Sequence, residues 1–198
     1  MTPRLLLATR NPHKLAELER MLEGAVGLDP LPEDADVPDE TGETFAANAL
    51  IKARAAVAAT GRSAIADDSG VEAEALGGAP GVRSARYAGP DATDAENLAK
   101  FVAEVPAGSR VRYVCAIAFV APDGAEHVVE GDCSGTMAAA PRGAGGFGYD
   151  PVFLPSEHGA SRTMAELSAA EKDAVSHRGR AARALQAWLS LDPPIDRG

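Results

Sequence analysis

The order of apolar runs and well-signalled helices in the first third of the chain constrains the fold most. Residues 5–8 (Leu-Leu-Leu-Ala) form a strand-like apolar run, and apolar residues at helical spacing follow it. Asn11 is a favourable helix N-cap, and Pro12 suits the first helical position. A second, alanine-rich helix is predicted from about Thr44 to Thr60, with Gly61 as its C-terminal cap. Strand and helix alternate, which favours an α/β fold.

The second half of the chain adds a hairpin to this alternation. Residues 111–121 and 126–129 flank the turn Pro122-Asp123-Gly124, a pattern typical of two antiparallel strands. Thr93 with Glu96 and Ser168 with Glu171 form capping boxes that start further helices. We therefore expect an α/β fold with a mixed, twisted sheet and flanking helices.

Length, charge and cysteine content limit the class of protein. The 198 residues suit one domain, so a single domain over residues 1–198 is expected. A formal charge of −10 argues against nucleic acid or an anionic membrane as a partner. The apolar run near the N-terminus is too short for a signal peptide or a membrane span, which favours the cytoplasm. Cys115 and Cys133 lack metal-ligand spacing, and buried thiols are expected.

Two adjacent carboxylates, Asp67 and Asp68, follow the apolar run 63–66 and precede Ser69-Gly70. Neighbouring acids at a strand end repel each other unless a cation, a donor cluster or solvent offsets the charge. An exposed Asp-Asp-Ser-Gly turn is the alternative, since these are ordinary turn residues. Mg²⁺ binds one or two carboxylates and keeps its other sites for water and phosphate. Asp67, Asp68 and Glu40 are therefore candidate ligands, and an acid beside the ion could accept a proton from an attacking water.

The segment between the first strand and the first helix, residues 9–14, is a candidate phosphate cradle. Free N–H groups and the dipole at the start of a helix favour an anion. Thr9 and Lys14 add a hydroxyl group and a positive charge. The segment lacks the glycine pattern of a P-loop or of a dinucleotide-binding fold.

A polar stripe runs along the second helix. Thr44, Asn48 and Lys52 are spaced four residues apart, which places them on one face. A solvated face explains such a stripe in most helices. Because the rest of this helix is almost wholly apolar, the stripe could instead face a polar cleft, to which Lys52 would add a second positive charge.

A glycine-rich loop over residues 142–151 would let a planar ligand approach the backbone closely. Phe147 could stack on a base, with Tyr149 or Asp150 at its edge; a flexible loop with one buried aromatic residue is the alternative. Donors in the last segment would suit a 6-keto oxygen better than a 6-amino group, or they form a solvated basic patch. These donors are Lys172, His177 and Arg178.

Six motifs follow one another along the chain. They lie at residues 7–14, 40–42 with 48–53, 64–70, 77–81 with 84–87, 145–151, and 176–179. In this order they closely resemble the inosine triphosphate pyrophosphatase family, the dITP/XTP pyrophosphatases that cleanse the nucleotide pool. The likeness spans positions 5 to about 190.

This resemblance implies an elongated, two-lobed α/β protein with a central nucleotide cleft, usually a homodimer. It implies an enzyme that uses Mg²⁺ to cut a purine nucleoside triphosphate into monophosphate and pyrophosphate. Asp68 would be the proton acceptor and a metal ligand, and Glu40 a second metal contact. The residues implied to hold the triphosphate are Thr9, Arg10, Asn11, Pro12, His13, Lys14 and Lys52. Those implied to complete the nucleotide site are Ser69, Phe147, Gly148, Tyr149, Asp150, Lys172, His177 and Arg178.

Two alternatives stay open on the sequence. One is a nucleotide-binding module without hydrolysis, in which the acids are structural. The other is a different metal-dependent phosphohydrolase, such as a house-cleaning pyrophosphatase for other modified nucleotides. The family's preference for inosine and xanthosine is physically sensible because both bases carry a 6-keto group. Guanine shares that group, so its rejection must depend on the 2-amino group.

Overall fold

A computed structural model describes residues 3–191. Within them, six strands form one sheet in the order β2-β1-β3-β4-β5-β6. The strands are β1 Arg4–Leu7, β2 Gly27–Pro30, β3 Ala64–Ala73, β4 Arg110–Val120, β5 Glu126–Met137 and β6 Phe153–Pro155, and the α-helices are α1 Pro12–Leu22, α2 Phe45–Thr60, α3 Asp94–Glu104, α4 Ala169–Val175 and α5 His177–Leu189.

The sheet is mixed, as predicted. Strand β1 pairs in parallel with both β2 and β3, whereas β5 pairs antiparallel with β6. Strands β4 and β5 are neighbours joined by the short turn at residues 121–125, which confirms the hairpin. The α/β class and the mixed sheet expected from the sequence are therefore confirmed.

Helix ends follow their local capping signals. Asn11 caps α1 and Pro12 opens it, while Thr44 caps α2 by accepting the N–H of Ala47. Gly61 ends α2 with a φ of 67°, in the left-handed region. The predicted capping boxes at the starts of α3 and α4 both form. These boundaries were predictable because each one depends on residues within a single turn.

Three strands differ from the sequence prediction. Strand β3 does not end before the acid pair but continues through Ser69-Gly70 to Ala73, so the predicted turn is wrong. Strand β5 runs on to Met137, well past residue 129. Strand β2, whose sequence is Gly-Leu-Asp-Pro, was not predicted. Pairing with neighbouring strands outweighs the turn preference of Asp, Ser, Gly and Pro in these segments.

The chain divides into two compact units. Within the described residues, the first contains 3–68, 115–131 and 180–191, and the second contains 69–114 and 132–179. Each has its own apolar core. The first core includes Leu5, Leu7, Leu18, Leu22, Ile65, Ile117, Phe119 and Leu185, and the second includes Val71, Phe101, Tyr113, Met137, Tyr149, Phe153 and Met164. The single domain over residues 1–198 stays a prediction.

Two smaller expectations were also tested. Cys115 and Cys133 are buried thiols, as the sequence indicated. Among residues 3–191, none of the helices has both the length and the apolar character that crossing a bilayer requires.

Candidate active site

The two neighbouring acids point to opposite faces of β3. Adjacent side chains alternate across a strand, and each carboxylate meets a different lysine. Asp67 Oδ2 lies 3.1 Å from Lys14 Nζ, and Asp68 Oδ1 lies 3.6 Å from Lys52 Nζ. Asp67 is 1% exposed and Asp68 4%, so the alternative of an exposed Asp-Asp turn is wrong. The structure supports the expectation that cations offset the charges.

Asp68 belongs to a cluster that spans α2 and the segment before it. Lys52 Nζ lies 2.6 Å from Glu40 Oε1, so one ammonium group contacts both Glu40 and Asp68. Asn48 Nδ2 donates to Asp68 Oδ2 at 3.0 Å. Both Asn48 and Lys52 are buried, which supports a polar cleft along this face of α2 rather than a solvated face. Thr44, the third member of the predicted stripe, is exposed at the helix cap.

Asn48 was not among the predicted site residues. Besides its bond to Asp68, its Oδ1 accepts the N–H of Gly42 at 2.8 Å. A Cβ atom on Gly42 would lie 2.7 Å from that same oxygen, so glycine allows this close approach. Asn48 thereby connects Asp68 to the segment that carries Glu40. The sequence signal for it was its spacing, four residues before Lys52 on an otherwise apolar helix.

Burial dominates the electrostatics of Asp68. Loss of solvent raises the pKa of its carboxyl group, and Glu40 raises that pKa further. Lys52, Lys14 and the hydrogen bond from Asn48 act in the opposite direction, but the net shift is upward. For Lys52, burial lowers the pKa, yet Asp67, Asp68 and Glu40 outweigh it and the pKa is raised. Asp68 is therefore a more basic carboxylate than usual beside a firmly charged ammonium group.

The donor set around Lys52 fits Mg²⁺. Within the described residues, no group of three or more His, Cys, Asp or Glu side chains converges as a closed metal cage. Mg²⁺ needs only one or two carboxylates, because water and substrate phosphate fill its other positions. Glu40 and Asp68 supply two such carboxylates, since both contact the same ammonium group. Asp67 forms its ion pair with Lys14 instead.

The start of α1 differs from the expected cradle. The N–H groups of His13 and Lys14 are not free: both donate to Asn11 Oδ1, at 2.9 and 3.2 Å. The N–H of Asn11 in turn donates to Thr9 Oγ1 at 3.2 Å, and Pro12 has no N–H to offer. An anion here would meet the side chain of Lys14, or it would have to replace the cap.

Arg10 has a different set of contacts from the rest of this segment. Its guanidinium group donates to a row of backbone carbonyl oxygens in the loop that follows β2. The distances range from 2.6 to 3.2 Å, to Leu31, Pro32, Glu33 and Ala35. Arg10 thus anchors this loop to the end of β1.

A second set of predicted residues meets around the ring of Phe147. Lys172 Nζ lies 5.0 Å from the ring centroid, and the guanidinium carbon of Arg178 lies 5.6 Å from it. Both distances are within the range of a cation–π contact. Arg178 also donates to Ser69 Oγ at 2.9 Å. The structure therefore brings together Phe147, Lys172, Arg178 and Ser69, which lie far apart in the sequence.

Asp150 holds two members of this second set by hydrogen bonds. Its Oδ2 accepts from Lys172 Nζ at 2.6 Å and from the N–H of Phe147 at 3.0 Å. Its Oδ1 accepts from the hydroxyl group of Tyr113 at 3.1 Å. The carboxylate, 3% exposed as a residue, thus faces protein donors.

The neighbours of Asp150 in the predicted run are placed differently. Tyr149 is buried, with its ring centroid 4.9 Å from that of Phe101, and its hydroxyl group donates to the carbonyl oxygen of Ser84 at 2.7 Å. Tyr149 is therefore a core residue rather than a group at a base edge. The N–H of Gly148 donates to Asp94 Oδ2 at 3.1 Å.

The junction of α4 and α5 fixes His177 and Arg178. The N–H of Gly179 donates to Ser176 Oγ at 3.1 Å, and a Cβ atom on Gly179 would overlap the carbonyl oxygen of Asp173. Only glycine fits there without movement of the backbone. The position of His177, whose buried ring stacks on Tyr113, follows from this close contact.

We expect Gly179→Ala to destabilise the protein and disturb this junction. Overpacking of this kind costs about 1–3 kcal/mol, or several degrees in Tm for a protein of this size. Thermal unfolding measures the change. Gly77→Ala is a matched control. The φ of 61° at Gly77 strains the backbone of any residue with a side chain, but no atom lies within 4 Å of the added Cβ. An equal loss of Tm in both variants would contradict the close contact at Gly179.

Fold and side-chain geometry together define a class: an α/β protein with buried carboxylates and lysines in an arrangement suited to phosphate chemistry. The chain belongs to the Ham1 family, whose model matches residues 5–188. The resemblance inferred from the six motifs is thereby confirmed.

The relatives match nearly the whole chain. The dITP/XTP pyrophosphatase of Symbiobacterium thermophilum is 51% identical over 195 residues, which cover 95% of this chain and 96% of that protein. The dITP/XTP pyrophosphatase of Mycobacterium tuberculosis strain H37Rv is 53% identical over 196 residues, covering 91% and 92%.

Solved structures agree with this assignment. A HAM1 protein from Coxiella burnetii superposes with a TM-score of 0.85 at 41% identity, covering 96% of this chain and 100% of that one. A nucleoside-triphosphatase / dITP/XTP pyrophosphatase from Mycobacterium abscessus superposes with a TM-score of 0.71 at 50% identity, covering 92% and 98%.

Proposed function

We propose that this chain is a Mg²⁺-dependent pyrophosphatase that hydrolyses deaminated purine nucleoside triphosphates, namely dITP, ITP and XTP. The products are the nucleoside monophosphate and pyrophosphate. The observation that carries the proposal is the cluster of half-buried Glu40 with buried Lys52 and Asp68 in a member of the Ham1 family. Relatives at about half identity over the same length carry the name dITP/XTP pyrophosphatase.

The first set of residues carries out the phosphate chemistry. When bound by Glu40 and Asp68, Mg²⁺ supplies charge neutralisation for the triphosphate and a more acidic water. Asp68 accepts the proton of the attacking water, a role suited to a carboxylate whose pKa burial raises. Asn48 holds the Oδ2 of Asp68 and so orients it. Lys14 and Lys52 offset the charge of the phosphates, and the rest of the segment lines the triphosphate site: Thr9, Arg10, Asn11, Pro12 and His13.

The second set binds the base. The ring of Phe147 stacks on the purine, and Lys172, His177 and Arg178 supply donors around it. A 6-keto oxygen accepts from such donors, whereas the 6-amino group of adenine would leave a buried donor facing a donor. Ser69 acts through its hydrogen bond with Arg178. Exclusion of guanine depends on its 2-amino group, which lacks a counterpart in inosine.

We expect Phe147→Ala to weaken substrate binding more than it slows the chemical step. Loss of stacking on one base costs about 1–3 kcal/mol, which corresponds to a KM raised roughly 10- to 100-fold. Steady-state kinetics with ITP separates KM from kcat. A variant with unchanged KM would remove Phe147 from the base site.

We also propose the setting in which the enzyme works. It acts as one domain, in the cytoplasm and as a homodimer, and removes deaminated nucleotides before they enter DNA or RNA. Light scattering on the purified protein measures the oligomeric state. A monomer at every concentration would contradict the homodimer without affecting the proposed reaction.

The activity is tested by incubating the protein with ITP, GTP or ATP, first with Mg²⁺ and then with EDTA. Ion-exchange chromatography resolves the products. IMP and pyrophosphate, formed only with Mg²⁺ and much faster from ITP, are expected. IDP and orthophosphate would indicate a different phosphohydrolase, and preference for another modified nucleotide would indicate a different house-cleaning role. Binding without turnover would indicate a nucleotide-binding module.

A further inference from the structure

Tyr113 lies at the centre of an aromatic stack beneath the base-binding residues. It belongs to β4 and is buried in the second core. Its ring lies between the rings of Phe153, at a centroid distance of 4.3 Å, and His177, at 4.5 Å. The interplanar angles, 25° and 14°, describe near-parallel stacking on both sides. The orientation of the His177 ring is therefore set by Tyr113.

The hydroxyl group of Tyr113 determines how Asp150 is held. It donates to Asp150 Oδ1, while Oδ2 serves Lys172 and the N–H of Phe147. The last torsion of an aspartate is broad and roughly two-fold, so a carboxylate held at one oxygen only can turn easily. Because Oδ1 is anchored, Oδ2 is held in one position. The two groups that donate to Oδ2, Lys172 Nζ and the N–H of Phe147, are then held in place as well.

We propose that Tyr113 is a positioning residue that sets base selectivity. Its hydroxyl group fixes Asp150, its ring fixes His177, and through them Lys172 and Phe147 present one geometry to the purine. The inference rests on the proposed function, because it deepens the account of the same base site. No motif in the sequence singled out this tyrosine, which lies in a strand that is wholly apolar only from Val114 onward.

The electrostatic environment of Tyr113 keeps its hydroxyl group protonated, as this role requires. Burial raises the pKa of its hydroxyl group well above the usual value, and the negative charge of Asp150 raises it further. Tyr113 therefore remains a hydrogen-bond donor throughout the physiological pH range. Selectivity follows because the ammonium group of Lys172 carries donors only. When it is held in place it favours a 6-keto oxygen over a 6-amino group, and when it is displaced it discriminates less between the two.

Tyr113→Phe removes the hydroxyl group and leaves the ring stack. We expect IMP to bind about tenfold more weakly in calorimetry, in line with the loss of one hydrogen bond to a charged group. We expect the ratio of kcat/KM for ITP to that for ATP to fall by a similar factor. The kcat for ITP should stay within about threefold, since Asp68 and its cluster are unchanged.

Tyr87→Phe is the matched control. Tyr87 also belongs to the second unit, and its hydroxyl group is hydrogen-bonded to a carboxylate, but that carboxylate is Glu104. This variant should keep the wild-type IMP affinity and the wild-type ITP to ATP ratio. Unchanged affinity and selectivity in Tyr113→Phe, or the same losses in Tyr87→Phe, would overturn the proposal.

A double-mutant cycle tests whether Tyr113 acts through Asp150. Tyr113→Phe and Asp150→Asn should be non-additive in their effect on IMP affinity, because each breaks the same linkage. Additive losses would overturn the proposal. A fall in Tm together with a smaller fraction of protein able to bind IMP would mean a general structural role and would also overturn it.

Failure of the proposed function is distinguishable from failure of this inference. IMP binding needs no turnover. A wild-type protein that binds IMP but does not cleave ITP would therefore contradict only the proposed hydrolysis. The double-mutant cycle would still decide the role of Tyr113. A wild-type protein that neither cleaves ITP nor binds IMP would overturn both.

Discussion

Asp68→Asn is expected to slow ITP hydrolysis by roughly 10³-fold, within the range that general acid–base catalysis contributes. The amide cannot accept the proton of the attacking water and is a poor ligand for Mg²⁺. Steady-state kinetics at saturating Mg²⁺ measures the loss. Asp91→Asn, an exposed acid in a turn, provides the control and should retain full activity. Wild-type turnover in Asp68→Asn would contradict the assignment of Asp68 as proton acceptor.

The same variant should unfold at an equal or higher temperature at neutral pH. Because burial raises the pKa of Asp68, its ionised form is disfavoured in the folded state. That cost is absent below the unfolded-state pKa of about 3.9, develops as the pH rises from there to the folded-state pKa, and is complete above it. The gain in Tm from Asn should therefore be largest near neutrality and vanish in acid. A gain that grew as the pH fell would contradict this sign.

Lys172→Met is expected to destabilise the protein by about 3 kcal/mol, because it leaves the Asp150 carboxylate buried without its cation. The side chains of Lys172 and Asp150 are only 7% and 4% exposed, so solvent screens this pair little. The Tm should fall by roughly 6–12 °C for a chain of this length. IMP affinity should fall by at least about tenfold as well, since a donor to the base is lost.

A double variant separates the two effects. Lys172→Met combined with Asp150→Asn replaces both charges, and it should recover much of the Tm lost by Lys172→Met alone. It should not recover IMP affinity. Arg162→Met, which breaks the half-exposed pair with Glu171, is the control for a surface ion pair and should cost under about 1 kcal/mol. If Lys172→Met proved no more destabilising than Arg162→Met, the buried pair would not contribute as argued.

Local signals in the sequence predicted much of this fold. The caps at Asn11 and Gly61 depend on residues within one turn of the helix end, and they form as expected. The continuation of β3 through Ser69 was not predictable in the same way. Its residues favour a turn, and only the neighbouring strands of the sheet hold them extended.

The candidate site shows the same division. Asp68 and Glu40 were predicted as metal ligands and Lys52 as a phosphate contact, and in the structure Lys52 contacts both acids. The placement of Tyr149 in the core was missed, because a Gly-rich loop gives no local sign of which aromatic ring is buried. Tyr113 was missed because its role depends on residues 37 and 64 positions away in the chain.

Asp67 cannot take the place of Asp68. The pleat of β3 gives each acid its own lysine, so a carboxylate lost at Asp68 cannot be replaced by the one beside it. Inserting or deleting one residue earlier in the strand would exchange the two acids between faces and turn every other side chain of the strand over with them. The number of residues in β3, and not only their identity, therefore decides which of the two acids faces Lys52 and Glu40.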